Sequence, residues 1–98
     1  MLAQFPINLS KVKKANIDRE VLRIGIIAEL DAINLYEQLA AATDNKNLKK
    51  VFLAVAKEEK EHVGEFETLL LMLDKEQVKE GKSGREEVEE ILGRKVTK

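Results

Sequence analysis

The chain is marked first by what it lacks. Cysteine and tryptophan are absent, and there is one histidine, one proline, one tyrosine and three phenylalanines. Without cysteine there can be no disulfide, no cysteine-ligated zinc finger, no iron–sulfur cluster and no thiol catalysis. A single histidine also limits each chain to one imidazole ligand, so a metal site here would depend mainly on carboxylates.

Long hydrophobic runs are missing as well. No apolar stretch approaches the roughly 18 residues that a membrane-spanning helix needs, and Met1 to Ile7 lack the basic start and apolar segment of a signal peptide. Acidic and basic side chains are interspersed and leave a net charge of −1, which is not the pattern of a nucleic-acid-binding surface. We expect a soluble, cytoplasmic protein with no nucleic-acid or membrane partner.

Charged side chains are abundant instead, at 36% of the 98 residues, beside 44% hydrophobic residues. A chain of this length predicts one domain, residues 1–98. The hydrophobic residues recur at alternating spacings of three and four, which is the period of one helix face, and no β-branched alternating segment is present. The chain is therefore predicted to be all-α.

Capping and turn signals give the predicted helix limits. Asn16 can cap the first helix, residues 43–46 resemble a tight turn, and Gly81 is expected to end the second helix. The predicted segments are an N-terminal lead 1–15, helix 16–42, helix 47–80, a short helix 85–92 and a tail 93–98. Gly25 and Gly64 interrupt the long helices at about 1 kcal/mol each relative to alanine, so we expect close helix contacts there.

Each long helix has an apolar stripe that contains titratable residues. The first stripe consists of Leu22, Ile26, Glu29, Ile33, Tyr36 and Ala40. The second consists of Leu48, Phe52, Val55, Glu59, His62, Phe66, Leu69 and Leu73. Isolated buried carboxylates cost several kcal/mol, so they persist mainly when paired, protonated or bound to a metal. Glu59 and His62 are three residues apart and face the same way, so the pattern predicts a metal site.

Folding the two helices into an antiparallel hairpin brings these residues level. Glu29 and Glu59 each lie about 15 residues from position 44, the middle of the predicted turn, or roughly 22 Å along the helix axis. The same folding predicts three neighbouring pairs: Ile26 with His62, Ile33 with Val55, and Tyr36 with Phe52. Helical phase and turn position thus independently place Glu29, Glu59 and His62 together.

A second interpretation requires no metal, because a polar residue in a helix seam often fixes register, and a core histidine is often only hydrogen-bonded. That interpretation must explain two carboxylates and an imidazole at one level, so we favour metal binding. Carboxylate and imidazole ligands suit iron or manganese, with zinc as a third candidate. The ferritin-like di-iron plan needs a Glu from each of two helices and a Glu-x-x-His from two others. One chain supplies half of it, and a two-fold axis would complete a four-helix bundle.

Two segments, Ala28–Gln38 (AELDAINLYEQ) and Glu58–His62 (EEKEH), resemble those of the encapsulated ferritins, and the resemblance extends over residues 16 to 92. It implies a two-helix half-ferritin with a short C-terminal helix, dimerising into a four-helix bundle and assembling as a ring-shaped decamer of five dimers. It also implies an encapsulin shell protein as partner and a location inside the encapsulin nanocompartment. The family's C-terminal shell-targeting peptide is not recognisable after Gly93, which suggests a truncated tail or a domain cut from a shell-protein fusion.

Carried over by position, the resemblance makes Glu29, Glu59 and His62 the iron ligands of a di-iron centre shared between two chains. Glu59 would bridge both irons, and Tyr36 would take part in catalysis beside them. Members often have an acidic pair where metal enters the protein. Here Ala28 replaces one acid of that pair and Asp31 is the remaining candidate, while Leu35 replaces a tryptophan common beside the tyrosine.

The function implied is that of a ferroxidase, which oxidises Fe(II) to Fe(III) with dioxygen or peroxide for iron mineralisation and storage. Tyr36 could hydrogen-bond a ligand or donate an electron, or be a core aromatic only. The face formed by Glu58, Glu61 and Glu65 could guide cations, or be merely solvated. Two alternatives remain: a helical assembly module with a structural metal, and a manganese-dependent enzyme that removes peroxide.

Overall fold

The computed structural model describes Asn8, Ser10 and residues 12–96. In this part of the chain a 3-10 turn, Lys14–Asn16, leads into three α-helices: α1 (Ile17–Ala42), α2 (Lys46–Leu73) and α3 (Lys75–Leu92). The described residues contain no strand, and the all-α fold class is confirmed. Much of the predicted lead 1–15 and the end of the tail 93–98 lie outside the described residues.

Helices α1 and α2 form an antiparallel hairpin, and the turn between them is closed by side chains. The Asn45 side-chain oxygen accepts hydrogen bonds from the backbone N–H groups of Asn47 at 2.9 Å and Leu48 at 3.1 Å. The Thr43 hydroxyl accepts one from the backbone N–H of Asn45 at 3.1 Å. These bonds satisfy N–H groups that a helix start leaves without partners, and they fix the turn from which both helices are counted.

The second helix ends earlier than the predicted limit at Gly81. Asp74 leaves the helical conformation at φ −120° and ψ 88°, and its N–H donates to the carbonyl of Leu70 at 2.9 Å. Its Oδ1 then accepts from the N–H of Gln77 at 3.0 Å, which starts α3. The chain therefore breaks at a side-chain cap, and α3 continues through Gly81 and Gly84 because exposed glycines cost only about 1 kcal/mol each.

The hairpin buries few side chains. Within the described residues the buried hydrophobic ones are Ile33, Ala40, Ala56 and Leu70, and α3 contributes none. Large apolar side chains remain exposed along all three helices, with Met72 at 71% and Ile91 at 82%. Exposed apolar surface of this extent is typical of an interaction site. None of the described helices has both the length and the apolar character that crossing a membrane requires.

The two glycines inside the hairpin differ in their surroundings. A Cβ added at Gly25 would lie 3.3 Å from Cδ2 of Phe66, so α1 approaches α2 closely there. A Cβ at Gly64 would meet nothing within 4 Å. The predicted close contact is confirmed at Gly25 and is wrong at Gly64, which lies on an exposed part of α2.

Candidate metal centre

Glu29 on α1 and the pair Glu59 and His62 on α2 lie together across the hairpin. The Nδ1 atom of His62 is 3.4 Å from Oε2 of Glu29 and 3.3 Å from Oε2 of Glu59. One donor atom from each residue lies within 4.8 Å of the other two. The i, i+3 spacing on α2 makes Glu59 and His62 neighbours, and the hairpin supplies Glu29.

These separations suit a shared cation. Two donors bound at about 2.1 Å to one ion, at angles between 90° and tetrahedral, lie about 3.0 to 3.4 Å from each other. The two His62–carboxylate separations, 3.3 and 3.4 Å, are of this size. Two oxygen donors and one imidazole nitrogen are also a donor set that first-row divalent cations accept. The two separations from His62 therefore fit a shared ion, and the two carboxylate donors lie within 4.8 Å of each other.

The cluster is open on one side. The side chains of Glu29 and Glu59 are 20% and 19% exposed, whereas that of His62 is 43% exposed. Three protein donors do not complete the coordination of a first-row ion, which has four to six ligands in proteins. The missing ligands must reach the ion from the open side, as water, substrate or a second chain.

Aromatic layers border the cluster at both ends. The rings of Tyr36 and Phe52 stack with their centroids 6.2 Å apart and their planes at 16°, which agrees with the predicted pairing. Both residues are seven positions, roughly 10 Å, nearer the turn than their neighbours Glu29 and Glu59. On the far side, Phe66 packs against Gly25. Because both layers join α1 to α2, they hold the three donors at one level.

Tyr36 is half-buried in its layer, and its hydroxyl makes no hydrogen bond to another residue of the described chain. Tyr36 therefore lies two helical turns from Glu29, outside the three-donor cluster. The Tyr36 ring stacks on Phe52, and within the described residues its hydroxyl has no hydrogen-bond partner.

The predicted acidic residues around the cluster do not join it. Asp31 is half-buried on α1, but residues two apart on a helix point to different faces, and Asp31 does not belong to the three-donor group. Glu58, Glu61 and Glu65 are exposed on α2. In the described residues these carboxylates form no second group with the geometry of a metal site.

One contact beside the cluster was not predicted. Lys60 Nζ lies 3.0 Å from Oε2 of Glu37, and this ion pair joins the two helices next to Glu59 and Tyr36. The side chains of Lys60 and Glu37 are 59% and 43% exposed, so their ion pair contributes at most about 1 kcal/mol to stability. Glu37 lies much nearer the turn than Lys60 does. Counting residues from the turn therefore does not predict this ion pair.

Comparison with known proteins agrees with this architecture. The rubrerythrin family profile matches residues 20–95. The crystal structure of an encapsulated ferritin domain from Pyrococcus furiosus is similar to this chain with a TM-score of 0.82 and 52% identity, covering 98% of this chain and 100% of that one. The fold is thus that of a ferritin-like protein. The chain belongs to the rubrerythrin family and, within it, to the encapsulated ferritins, so the resemblance seen in its sequence is confirmed.

Curated relatives extend the comparison. A ferritin-like-encapsulin shell fusion protein of Pyrococcus furiosus is 62% identical over 74 residues, which cover 76% of this chain and 21% of the relative. The encapsulin nanocompartment cargo protein EncC of Myxococcus xanthus is 45% identical over 65 residues, covering 66% of this chain and 50% of the relative. This chain therefore spans between about a fifth and a half of these relatives. Membership of this family is compatible with iron handling.

Proposed function

We propose that the protein is a ferroxidase that oxidises Fe(II) to Fe(III) at a di-iron site shared between two chains. The observation that supports this most directly is the open three-donor cluster of Glu29, Glu59 and His62, whose donor atoms lie within 4.8 Å of one another. It matches half of the ferritin-like donor plan, one Glu and one Glu-x-x-His. Fe(II) is the substrate, and the chain supplies its ligands.

A second copy of the chain completes the site. Two copies related by a two-fold axis supply four carboxylates and two imidazoles, and they turn two hairpins into a four-helix bundle. The open side of the cluster, with His62 at 43% exposure, leaves room for that copy. The exposed apolar side chains of the helices give the association a hydrophobic driving force. We propose that five such dimers form a ring-shaped decamer.

Each residue has a defined part in the reaction. Each Fe(II) gives up one electron, so two of them reduce one dioxygen to hydrogen peroxide with two protons, or one peroxide to two waters with two protons. Glu29 and Glu59 offset the rising positive charge on iron, with Glu59 shared between both ions, and His62 supplies a nitrogen ligand. Tyr36, two helical turns from Glu29, donates a hydrogen bond or a transient electron. Asp31 is a candidate for guiding metal inward.

The setting proposed for this reaction is the interior of an encapsulin nanocompartment in the cytoplasm. Similar proteins carry the names of an encapsulin shell fusion and of encapsulin cargo proteins. A shell around the ferroxidase would retain the Fe(III) mineral. Iron storage would then be divided between this chain, which oxidises, and the shell protein, which stores.

The test is aerobic Fe(II) titration with dioxygen uptake and Fe(III) absorbance followed together. We expect turnover in the natural protein and at least a tenfold loss in Glu59→Ala and His62→Ala, with helix content nearly intact because neither side chain fills the core. Glu58→Ala is the matched control, since Glu58 is an exposed carboxylate one residue away. Iron oxidation at the natural rate in both ligand variants would refute the site assignment.

The same titration separates the alternatives. A purely structural metal site would bind Fe(II) without dioxygen uptake. A manganese-dependent peroxide-removing enzyme would consume peroxide with Mn(II) bound and not with Fe(II). We expect instead that Fe(II) supports turnover and Mn(II) does not.

A further inference from the structure

The junction at Asp74 belongs at once to all three helices. Its N–H donates to the carbonyl of Leu70 at the end of α2, its Oδ1 accepts from the N–H of Gln77 in α3, and its Oδ2 lies 2.9 Å from Nη2 of Arg23 on α1. The Asp74 side chain is 6% exposed, whereas that of Arg23 is 49% exposed. One buried carboxylate therefore uses one oxygen to start α3 and the other to bind the hairpin.

Little else fixes α3. No residue of α3 is buried within the described chain. Between its first turns and the flank of the hairpin lies a cleft of about 740 Å³, lined by Ile26 and Leu70 on the hairpin and by Val78 and Arg85 on α3, among others. A helix that borders an open cleft gains little from packing, so its direction depends on its attachment point.

We propose that the Arg23–Asp74 ion pair is a latch that sets the direction of α3 relative to the hairpin. With the pair formed, Asp74 is held in the non-helical conformation that separates α2 from α3. Without it, the cap to Gln77 keeps α3 helical, but α3 swings as an arm about residue 74. Since α3 carries Val78, Val88 and Ile91 in exposed positions, the latch also determines which direction this apolar surface faces.

Two features of the pair suit a latch. Its partners lie far apart in sequence, at Arg23 and Asp74, so it joins the first helix to the last across the hairpin. Arg19, one turn earlier on α1, adds an attractive charge but is itself hydrogen-bonded to Asn16. Arg23 is therefore the guanidinium that contacts Asp74, and removing it leaves the cap intact.

The absence of cysteine makes the test direct. Cysteines introduced at the exposed positions Gln38 on α1 and Glu87 on α3 carry spin labels, and the distance between them is measured by pulsed electron resonance. The labelled chain is diluted with unlabelled chain so that distances between copies do not contribute. Arg23→Gln removes the latch, and Asp74→Asn removes its charge while retaining an amide oxygen that can cap α3. Glu37→Gln and Lys60→Gln are the matched controls, because they break an ion pair between α1 and α2.

The natural chain and both controls should give one narrow distance distribution, and Arg23→Gln and Asp74→Asn should each widen it at least twofold. The double variant should be no wider than either single variant, since both remove the same interaction. Unchanged distributions in Arg23→Gln and Asp74→Asn would overturn the latch. A loss of helix signal equal to the 18 residues of α3 would also overturn the latch. In that case the ion pair would stabilise the helix itself and not its direction. The readout needs no iron, so it is independent of the proposed ferroxidase activity.

Discussion

At the scale of single residues, the ring and the hydroxyl of Tyr36 can be tested separately. Its ring stacks on Phe52 at 6.2 Å, while its hydroxyl makes no hydrogen bond to another described residue. Tyr36→Phe keeps the ring and removes only the hydroxyl. We therefore expect unchanged stability, unchanged Fe(II) binding and a loss of about three- to tenfold in the iron oxidation rate.

Stopped-flow absorbance and metal-binding titration of Tyr36→Phe would check this expectation, with Phe52→Leu as the packing control. If Tyr36→Phe abolished Fe(II) binding, the hydroxyl would have to be treated as part of the ligand set. If it left the oxidation rate unchanged, Tyr36 would be a core aromatic only.

Gly25 and Gly64 form a second natural pair for comparison at this scale. An alanine at Gly64 meets open space, so Gly64→Ala should raise the free energy of unfolding by about 0.5 to 1 kcal/mol through helix propensity alone. At Gly25 the new methyl group would press on Phe66 at 3.3 Å. The same gain in propensity is then offset by displacement of the ring, and we expect a smaller gain or a loss.

Denaturant unfolding of both glycine variants at one matched protein concentration measures the difference. Equal stabilisation at the two positions would mean that Phe66 moves aside without cost. Destabilisation by Gly64→Ala would contradict the expectation of open space and indicate that a second chain covers this part of α2.

At the scale of elements, the sequence predicted the pairing of residues across the hairpin correctly but placed the end of the second helix wrongly. Counting residues from the turn places Glu29 beside Glu59 and Tyr36 beside Phe52, because helix period and turn position are local properties of the sequence. The actual contact joins Glu29 to His62 as well. Helical side chains lean toward the N-terminus of their own helix, which on antiparallel helices brings Glu29 and His62 toward each other. The tight turn leaves α1 and α2 little freedom to slide along each other.

The break at Asp74 could not be predicted from helix period and turn position. In the sequence, Gly81 resembles a stop, and it outweighed a weaker local signal, Asp74 followed three residues later by Gln77, which is the spacing of a helix cap. The cap on Gln77 marks the break, whereas the contact of Asp74 with Arg23 depends on the hairpin having already formed. Such ion pairs between distant residues, like Glu37 with Lys60, have no period and leave no local signal.

The junction at Asp74 should weaken in acid. The hydrogen bond from the Gln77 N–H holds the pKa of Asp74 below its usual range. Burial opposes this effect, and the charges of Arg19 and Arg23 lower the pKa further. A carboxyl group whose pKa is lowered by folding stabilises the fold above the unfolded pKa. That stabilisation is lost as the pH falls through the folded pKa.

Because other carboxylates titrate in the same range, the measurement is a difference. We expect the stability gap between the natural chain and Asp74→Asn to be constant above about pH 5 and to shrink steadily below pH 4. Chemical denaturation at a series of pH values gives both curves, and Glu37→Gln is the control for loss of another ion-paired acid. A gap that did not depend on pH would show that Asp74 has no lowered pKa.

At the scale of the whole molecule, the cluster and the assembly are coupled by charge. In the proposed dimer without metal, Glu29 and Glu59 of both chains bring four carboxylates together, opposed by at most two imidazolium groups. Burying such charges without partners costs several kcal/mol per ion even after relaxation. Two divalent cations cancel the excess charge, so metal that binds the dimer and not the monomer shifts association by mass action.

We therefore predict that Fe(II), or redox-inert Zn(II), moves the chain from monomers toward dimers and larger rings, and that chelator reverses the shift at neutral pH. The variant with Glu29→Ala and Glu59→Ala should assemble with little dependence on metal, because it lacks both the repulsion and the ligands. The pair Glu58→Ala and Glu61→Ala removes the same charge from the exposed face and should behave like the natural chain. Sedimentation or native mass spectrometry of chelated and metal-loaded protein at matched concentrations measures the distributions. If they coincide across a dilution series that reaches the monomer, metal does not drive assembly, and the exposed apolar surface must be sufficient by itself.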